Sequence, residues 1–419
     1  MNLSARILRI AQTAKQSSAI LAGLSSKQKH QALMMMAKSL ADSKAHIIKE
    51  NAKDLAVAVK ANFAKALVDR LTLDEKRIKA MADGVVETAR LKDPIGDVLE
   101  SIKRPNGLLI KKIRVPLGVV GIIFESRPNV TSDCAALCLK SGNAAILKGG
   151  REAFYSNKAI YEVLKKALSK TAVPVDALQL IDSTDRAAVQ ELLKLENIVD
   201  VIVPRGGEEL IRFVSENTRI PVVKHFNGIC HVYVSRQADL NMAQKIVINA
   251  KTQKPGVCNA METLLVDKAI AQKFLPGMIE ALAQAGCEIR GDQTAKSIGK
   301  DLVKKATAKD WTTEYLDLIL SLRVVDGLDA AIDHINTFGS HHSDTIVTKN
   351  KAEAQAFLDR VDSACVYHNA STRFTDGFEF GFGAEVGIST DKLHVRGPMA
   401  LDGLCSYKYE IYGNGQIRQ

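Results

Sequence analysis

Apolar positions in the first hundred or so residues recur every three to four places, the spacing of helices that bury one stripe. Over 41–61, Ile47, Ile48, Leu55 and Val59 fall roughly on one face, with Lys and Asp on the other. The pattern repeats over 73–91 until Asp93-Pro94 closes it. The period then changes. Residues 108–115 alternate in part, as an exposed strand does, and Pro116-Leu117-Gly118 interrupts them. The run over 119–124 is almost unbroken in apolar character, which suits a strand buried on both faces of a parallel sheet.

Beyond it, strand and helix take turns. Helices are predicted near 132–140, 186–195 and 208–216, and another carries Ile160, Val163, Leu164, Ala167 and Leu168 on one face. Strands are predicted over 144–148, 178–181 and 199–203. This rhythm predicts a doubly wound α/β domain. A second alternation begins near Ala238, with helices over 242–251 and 271–285 and strands over 263–266 and 287–290, and predicts a second such domain. The tail 406–412 alternates as a strand, far in sequence from any partner.

Composition narrows the picture. The chain has 419 residues, enough for two or three domains, and its 46% hydrophobic and 25% charged residues are those of an ordinary globular protein. The apolar stretch 115–124 is half of the roughly 20 residues a membrane helix needs. The amino-terminal residues show no signal-peptide pattern. Seven cysteines, sparse and odd in number, suit free thiols in a reducing cytoplasm. The formal charge is +10, from 57 Lys and Arg against 47 Asp and Glu, but the bases are dispersed and no nucleic-acid-binding motif accompanies them. A positive field of this kind suits an enzyme that captures small anions.

The sequence holds no P-loop, and Gly381-Phe382-Gly383-Ala384-Glu385-Val386-Gly387 lacks the dinucleotide spacing. Glycine pairs do follow two predicted buried strands, in Lys148-Gly149-Gly150 and Arg205-Gly206-Gly207, each just before a helix. Either the backbone there approaches an anion at a helix start, or each pair is a plain turn. Cys134 and Cys138 lie in an apolar helix, and Cys230, Cys287, Cys365 and Cys405 lie in or beside apolar strands, so core packing is expected of all six. Cys258 differs, because it follows Lys254-Pro255-Gly256 in a loop between a helix and a strand. Lys251 and Lys254 nearby would favour its thiolate, and local chemistry permits a nucleophile without requiring one. His341-His342 reads as a surface turn, and His225 and His231 as core or hydrogen-bonded residues. No metal is expected, since no ligand spacing supports one.

Five blocks carry a resemblance: VPLGVVGIIFESRPNVTSDCAALCLKSGNAAILKGG (115–150), VDVIVPRGGEELI, AKTQKPGVCNAMETLLV, EYLDLIL and VDSACVYHNASTRFTDGFEFGFGAEVGISTDKLHVRGP. They resemble the aldehyde dehydrogenase superfamily, in particular the branch that reduces an acyl phosphate, and the resemblance runs the length of the chain. It implies an aldehyde-dehydrogenase-like α/β fold with two doubly wound domains and a small β oligomerisation element. An NADP-binding domain is expected over 1–104 and 118–232, a catalytic domain over 233–370, and oligomerisation strands over 105–117 and 400–419. The implied reaction is NADPH-dependent reduction of L-glutamate 5-phosphate to L-glutamate 5-semialdehyde and phosphate through a thioester, the second step of proline biosynthesis. The implied setting is cytoplasmic, as a homo-oligomer (dimer or tetramer) with no nucleic-acid or membrane partner. A transient contact with the upstream glutamate kinase, which makes the unstable acyl phosphate, is a further expectation.

Carried over residue by residue, Cys258 matches the catalytic cysteine, and its N–H and that of Asn259 would stabilise an oxyanion. Lys148 matches a lysine on the adenosine ribose and its 2′-phosphate, Gly206 and Gly207 the turn beside the cofactor, and Glu314 a glutamate on the nicotinamide ribose. Ser126 falls where hydrolytic members carry an oxyanion-binding asparagine, with Asn129 the alternative. Arg127, Asn129 and Arg373 are candidates for the substrate phosphate and carboxylate; a structural ion pair is the competing role for each arginine. One departure stands out. The Glu-Leu-Gly-Gly block of hydrolytic members reads His225-Phe226-Asn227-Gly228, which removes the base that would hydrolyse a thioester. The His225 ring is expected to be held turned away from the sulfur.

Overall fold

The computed structural model describes residues 2–418. Met1 and Gln419, the outermost residues of the expected ranges 1–104 and 400–419, lie outside them. The chain forms two compact units, one of Met1–Lys224 with Gly381–Ile388 and Leu393–Gln419, the other of His225–Phe380 with Ser389–Lys392.

The first unit opens with five helices, Leu3–Ala22, Ser26–Asp42, Lys44–Lys60, Lys65–Leu71 and Glu75–Arg90. The single helix expected over 41–61 is interrupted at Ser43, and its buried face is not the apolar stripe: Ile47, Asn51, Asp54 and Ala58 are buried while Val59 is 67% exposed. Hydrogen bonds explain the rotation. Asn51 Nδ2 donates to the Leu71 carbonyl at 2.8 Å and to Ser156 Oγ at 2.9 Å, and Asp54 accepts the backbone N–H groups of Tyr155 and Ser156. Those contacts hold the helix against the start of helix Phe154–Leu168, and a satisfied buried polar group outweighs one more buried valine.

A four-stranded parallel sheet forms the centre of this unit, in the order Leu178–Leu180, Ala144–Gly149, Val119–Phe124, Val201–Arg205. Every residue of Val119–Phe124 is buried, as its apolar run requires. The strand order reverses beside this strand, and open sheets of this kind hold ligands at the carboxyl ends next to such a reversal. Lys148 and Gly206 lie at those ends. A separate antiparallel sheet joins Val98–Lys103, Leu109–Pro116 and Cys405–Tyr412, so the alternating tail pairs with the early strand from Pro116↔Cys405 to Leu109↔Tyr412. Residues 98–103, expected with the helical region, are thus a strand of this element, closed onto the next by a turn through Gly107 at φ 91°.

The second unit is built on seven parallel strands in the order Val303–Lys305, Glu288–Gly291, Ile319–Val325, Met261–Asp267, Cys230–Val234, Ser343–Val347, Cys365–His368. Alternate residues serve opposite faces: Val232, Val234, Leu264 and Val266 enter one apolar core, Tyr233, Leu265 and Ile346 the other. The expected boundary at 232/233 would cut the interior strand Cys230–Val234, which is bonded on both sides to strands of this sheet. The unit therefore begins at His225, and it continues past 370 to Phe380. Among the described residues no helix is long and apolar enough to cross a membrane.

Candidate active site

Three segments that precede neighbouring strands of the second sheet meet at its amino edge. Parallel pairing in near register (His231 opposite both Thr263 and Asp344) aligns Gly228-Ile229, Cys258-Asn259 and His341-His342. Backbone contacts tighten the arrangement. A Cβ on Gly228 would fall 1.9 Å from the Cys258 carbonyl oxygen, so only glycine lets the two segments approach this closely. The Gly228 N–H donates to Glu314 Oε1 at 2.9 Å, and the Cys230 thiol donates to the Cys258 carbonyl at 3.2 Å.

Cys258 is half-buried, whereas Cys134, Cys138, Cys230, Cys287, Cys365 and Cys405 are buried. Its sulfur and one ring nitrogen from each of His225 and His342 all lie within 4.8 Å of one another. The two rings meet edge to face, centroids 5.4 Å apart. Burial pushes the Cys258 thiol up, but the charge of His342 and the hydrogen bond and charge of His225 outweigh it and hold the thiol well below its ordinary range. His342 is fully buried. Its Nδ1 meets Ser343 Oγ at 2.9 Å, and that hydroxyl meets Thr375 Oγ1 at 2.6 Å, so the ring is oriented from behind. Its Nε2 is buried without a hydrogen-bond partner.

Three expectations are corrected here. Lys251 does not attend the thiolate; it pairs with Glu262 at 2.6 Å, both side chains fully buried, because two ions placed in the core must neutralise each other. His342 is no surface turn, since Ser343–Val347 is a wholly buried strand and carries the residue before it into the interior. The His225 ring does not turn away from the sulfur but hydrogen-bonds it. His231 is the hydrogen-bonded core residue expected, its Nδ1 at 2.8 Å from Asp344 Oδ1.

Asn259, Glu314 and Arg373 gather at the same edge. Asn259 Nδ2 donates to the Thr375 carbonyl at 2.8 Å, its Oδ1 accepts from Arg373 Nη1, and its carbonyl accepts from Thr372 Oγ1 at 2.7 Å. The Arg373 Nε also donates to Gln253 Oε1 at 2.9 Å, so this guanidinium ties the 371–376 loop to the nucleophile loop. Burial raises the Glu314 carboxyl, the Gly228 N–H opposes that, and the Cys258 charge adds to it.

The remaining candidates belong to the first unit. Lys148 is buried at its strand end, with Nζ donating to the Gly149 carbonyl at 2.7 Å; burial lowers its pKa against the pull of Glu152 and Asp185. A Cβ on Gly206 would strike Glu125 Oε2 at 2.3 Å, whereas Gly207, which precedes helix Glu208–Glu216, faces open space. Ser126 has φ 54°, and its N–H donates to Glu152 Oε1 at 2.6 Å. Asn129 precedes helix Val130–Lys140 and donates to Asp133 Oδ2 at 2.8 Å, while Arg127 is exposed. Lys148, Gly206 and Gly207 thus share the carboxyl ends of the first sheet. His342 is the residue that sequence reasoning missed. Its signal was the pattern Ser-Asp-Thr-Ile-Val after it, a short strand with too little polar alternation to be exposed.

The model of the aldehyde dehydrogenase family matches residues 4–299, a stretch that includes Cys258. The chain belongs to that family and is an oxidoreductase. It is 54% identical to the gamma-glutamyl phosphate reductase of Moorella thermoacetica, over 100% of both chains. The crystal structure of gamma-glutamyl phosphate reductase from Thermotoga maritima matches with a TM-score of 0.96 at 43% identity, over 99% of this chain and 100% of that one. A glyceraldehyde-3-phosphate dehydrogenase from Methanocaldococcus jannaschii, complexed with NADP, shares the fold at 17% identity and a TM-score of 0.69, over 98% of this chain and 95% of that one.

Proposed function

We propose that the protein reduces L-glutamate 5-phosphate to L-glutamate 5-semialdehyde through a thioester on Cys258, in the second step of proline biosynthesis. The observation that carries this reading is a half-buried thiol with the His342 and His225 rings against it, in a chain alike end to end with gamma-glutamyl phosphate reductases. The Cys258 thiolate attacks the acyl carbonyl, the carbon–sulfur bond forms, and inorganic phosphate leaves with the electron pair of the broken carbon–oxygen bond. The backbone N–H groups of Cys258 and Asn259 stabilise the oxyanion, each such donor being worth about 3 kcal/mol. His225 and His342 keep the sulfur unprotonated before attack and stabilise it as the thiolate that leaves, with the bonding electron pair, when the carbon–sulfur bond breaks. The 225–228 block carries no carboxylate, the group that hydrolytic members use there to activate water against the thioester. Arg127, Asn129 and Arg373 attend the substrate phosphate and carboxylate, and Ser126 is a second oxyanion candidate.

NADPH, when bound, supplies the hydride that turns the thioester into the aldehyde. The first unit suits it. The open space at Gly207, beside the strand-order reversal, leaves room for a ligand against the backbone, and the Lys148 ammonium offers a 2′-phosphate a charge-assisted bond. Glu314 takes the nicotinamide ribose. We also infer a cytoplasmic homo-oligomer, supported by seven free cysteines and by exposed Tyr407, Tyr409, Ile411 and Tyr412 on the edge strand Cys405–Tyr412. Transient contact with the upstream kinase would shorten the exposure of the acyl phosphate to water.

The test is the reverse assay, following NADPH formation from glutamate semialdehyde, NADP⁺ and phosphate. Turnover should require phosphate and vanish in Cys258→Ala with the fold and NADPH binding retained. Equal rates with and without phosphate would end the acyl-phosphate reading. Substantial activity in Cys258→Ala would end the thioester.

A further inference from the structure

We propose that Cys258, His225 and His342 form a three-ligand site for Zn²⁺, and that the ion competes with the acyl substrate for the sulfur. The competition rests on the reading of Cys258 as nucleophile; the metal site itself does not.

The donor set is one thiolate and two imidazoles, a soft-to-borderline combination that suits zinc and disfavours magnesium or calcium. Ligand atoms around a tetrahedral zinc stand about 3.5 Å apart, from bond lengths of about 2.0–2.3 Å. The three donors here already lie within 4.8 Å of one another, so small side-chain rotations close the gap.

A second observation points the same way. His342 is fully buried and its Nε2 has no hydrogen-bond partner, an arrangement that leaves a desolvated lone pair or N–H uncompensated. Its Nδ1 is engaged by Ser343 Oγ at 2.9 Å, within a chain that runs on to Thr375 and Tyr367. Zinc-bound histidines are oriented by such a bond on the ring nitrogen that faces away from the metal. The neighbouring charges are mixed. The Glu314 carboxylate interacts with Cys258, His225 and His342 and favours a cation, whereas Arg373 opposes one. With three protein ligands the fourth position stays open, so the ion would be held reversibly rather than as a structural staple.

The experiment uses the full chain without a histidine tag, titrated first with Co²⁺ and then with Zn²⁺. One equivalent of Co²⁺ should give the intense visible bands of a tetrahedral site together with a thiolate-to-cobalt band in the near ultraviolet. Zn²⁺ should displace it and should block alkylation of Cys258 by iodoacetamide until a chelator is added. Cys258→Ser should lose the near-ultraviolet band, and His225→Ala and His342→Ala should each weaken binding at least tenfold while circular dichroism and the melting temperature hold. Zinc should raise the apparent KM for the acyl substrate with little change in kcat. Absent tetrahedral bands, or binding that depends on Cys258 and on neither histidine, would overturn the site. Binding lost in Cys230→Ala and kept in Cys258→Ser would overturn the ligand set. A normal metal titration with no effect on KM would overturn the competition alone.

Discussion

Gly228→Ala isolates what a single close approach contributes to the site. The new Cβ would meet Cys258 at 1.9 Å from the carbonyl oxygen and 2.5 Å from both the carbonyl carbon and the Cα, with no flexible side chain able to yield. Ordinary contact begins near 3.4 Å, so the two backbone segments must separate by about 1.5 Å. That movement strains the bond from the Gly228 N–H to Glu314, now 2.9 Å, and carries the sulfur away from His225 and His342. A displacement of about 1 Å at a reacting centre costs on the order of 100-fold in rate, which is about 2.7 kcal/mol of barrier. Overpacking itself should cost about 1–3 kcal/mol of stability, too little to unfold a chain whose two sheets are otherwise untouched. The assay is steady-state reduction with the acyl substrate, beside the rate of Cys258 alkylation at neutral pH and a thermal melt. Both the catalytic rate and the alkylation rate should fall. Activity and thiol reactivity within threefold of wild type in a folded Gly228→Ala protein would refute the claim that this contact positions the nucleophile.

Other predictions follow from the same geometry. In wild type, alkylation of Cys258 should stay fast as pH falls below the ordinary thiol range of about 8.5, because its folded pKa is depressed. In His342→Ala the rate at pH 6.5 should drop at least tenfold, since an ordinary thiol is then only about 1% ionised; an unchanged profile would remove His342 from that role. Lys251→Met should destabilise the second unit by about 3–5 kcal/mol by stranding a buried carboxylate. Burial already raises Glu262 to about 7 against the pull of Lys251, so the loss should be larger at pH 8, where the carboxyl must ionise, than at pH 5.5; urea melts giving equal losses would refute it. Lys148→Ala should raise the KM for NADPH about tenfold or more beyond any change for NADH, because a charge-assisted bond is worth about 1.5–3 kcal/mol, and equal losses would show that it touches only what the two cofactors share.

Much of this protein was legible one segment at a time. The apolar run of Val119–Phe124 needs no partner to declare itself a buried parallel strand, and the amphipathic stretch of Glu208–Glu216 declares itself a helix. Local chemistry likewise singled out Cys258, because proline and glycine hold its loop open and no apolar strand claims its side chain. These properties depend on neighbours within a turn or two, so a linear reading reaches them.

What a linear reading could not reach is set by pairing between distant strands. Asn51 and Asp54 own the buried face of their helix because Leu71 and the start of helix Phe154–Leu168 offer hydrogen bonds, and no period in 41–61 encodes that offer. Lys251 looked like a partner for the thiolate, yet Glu262 on the adjoining strand takes it. His225 and His342 face the Cys258 sulfur because Cys230–Val234 lies between Met261–Asp267 and Ser343–Val347, all parallel and nearly in register. Sequence determined which residue could be the nucleophile. Strand order and register decided which groups ionise it, since an imidazole acts on a thiol only across a few ångströms, and only the folded sheet brings them that close.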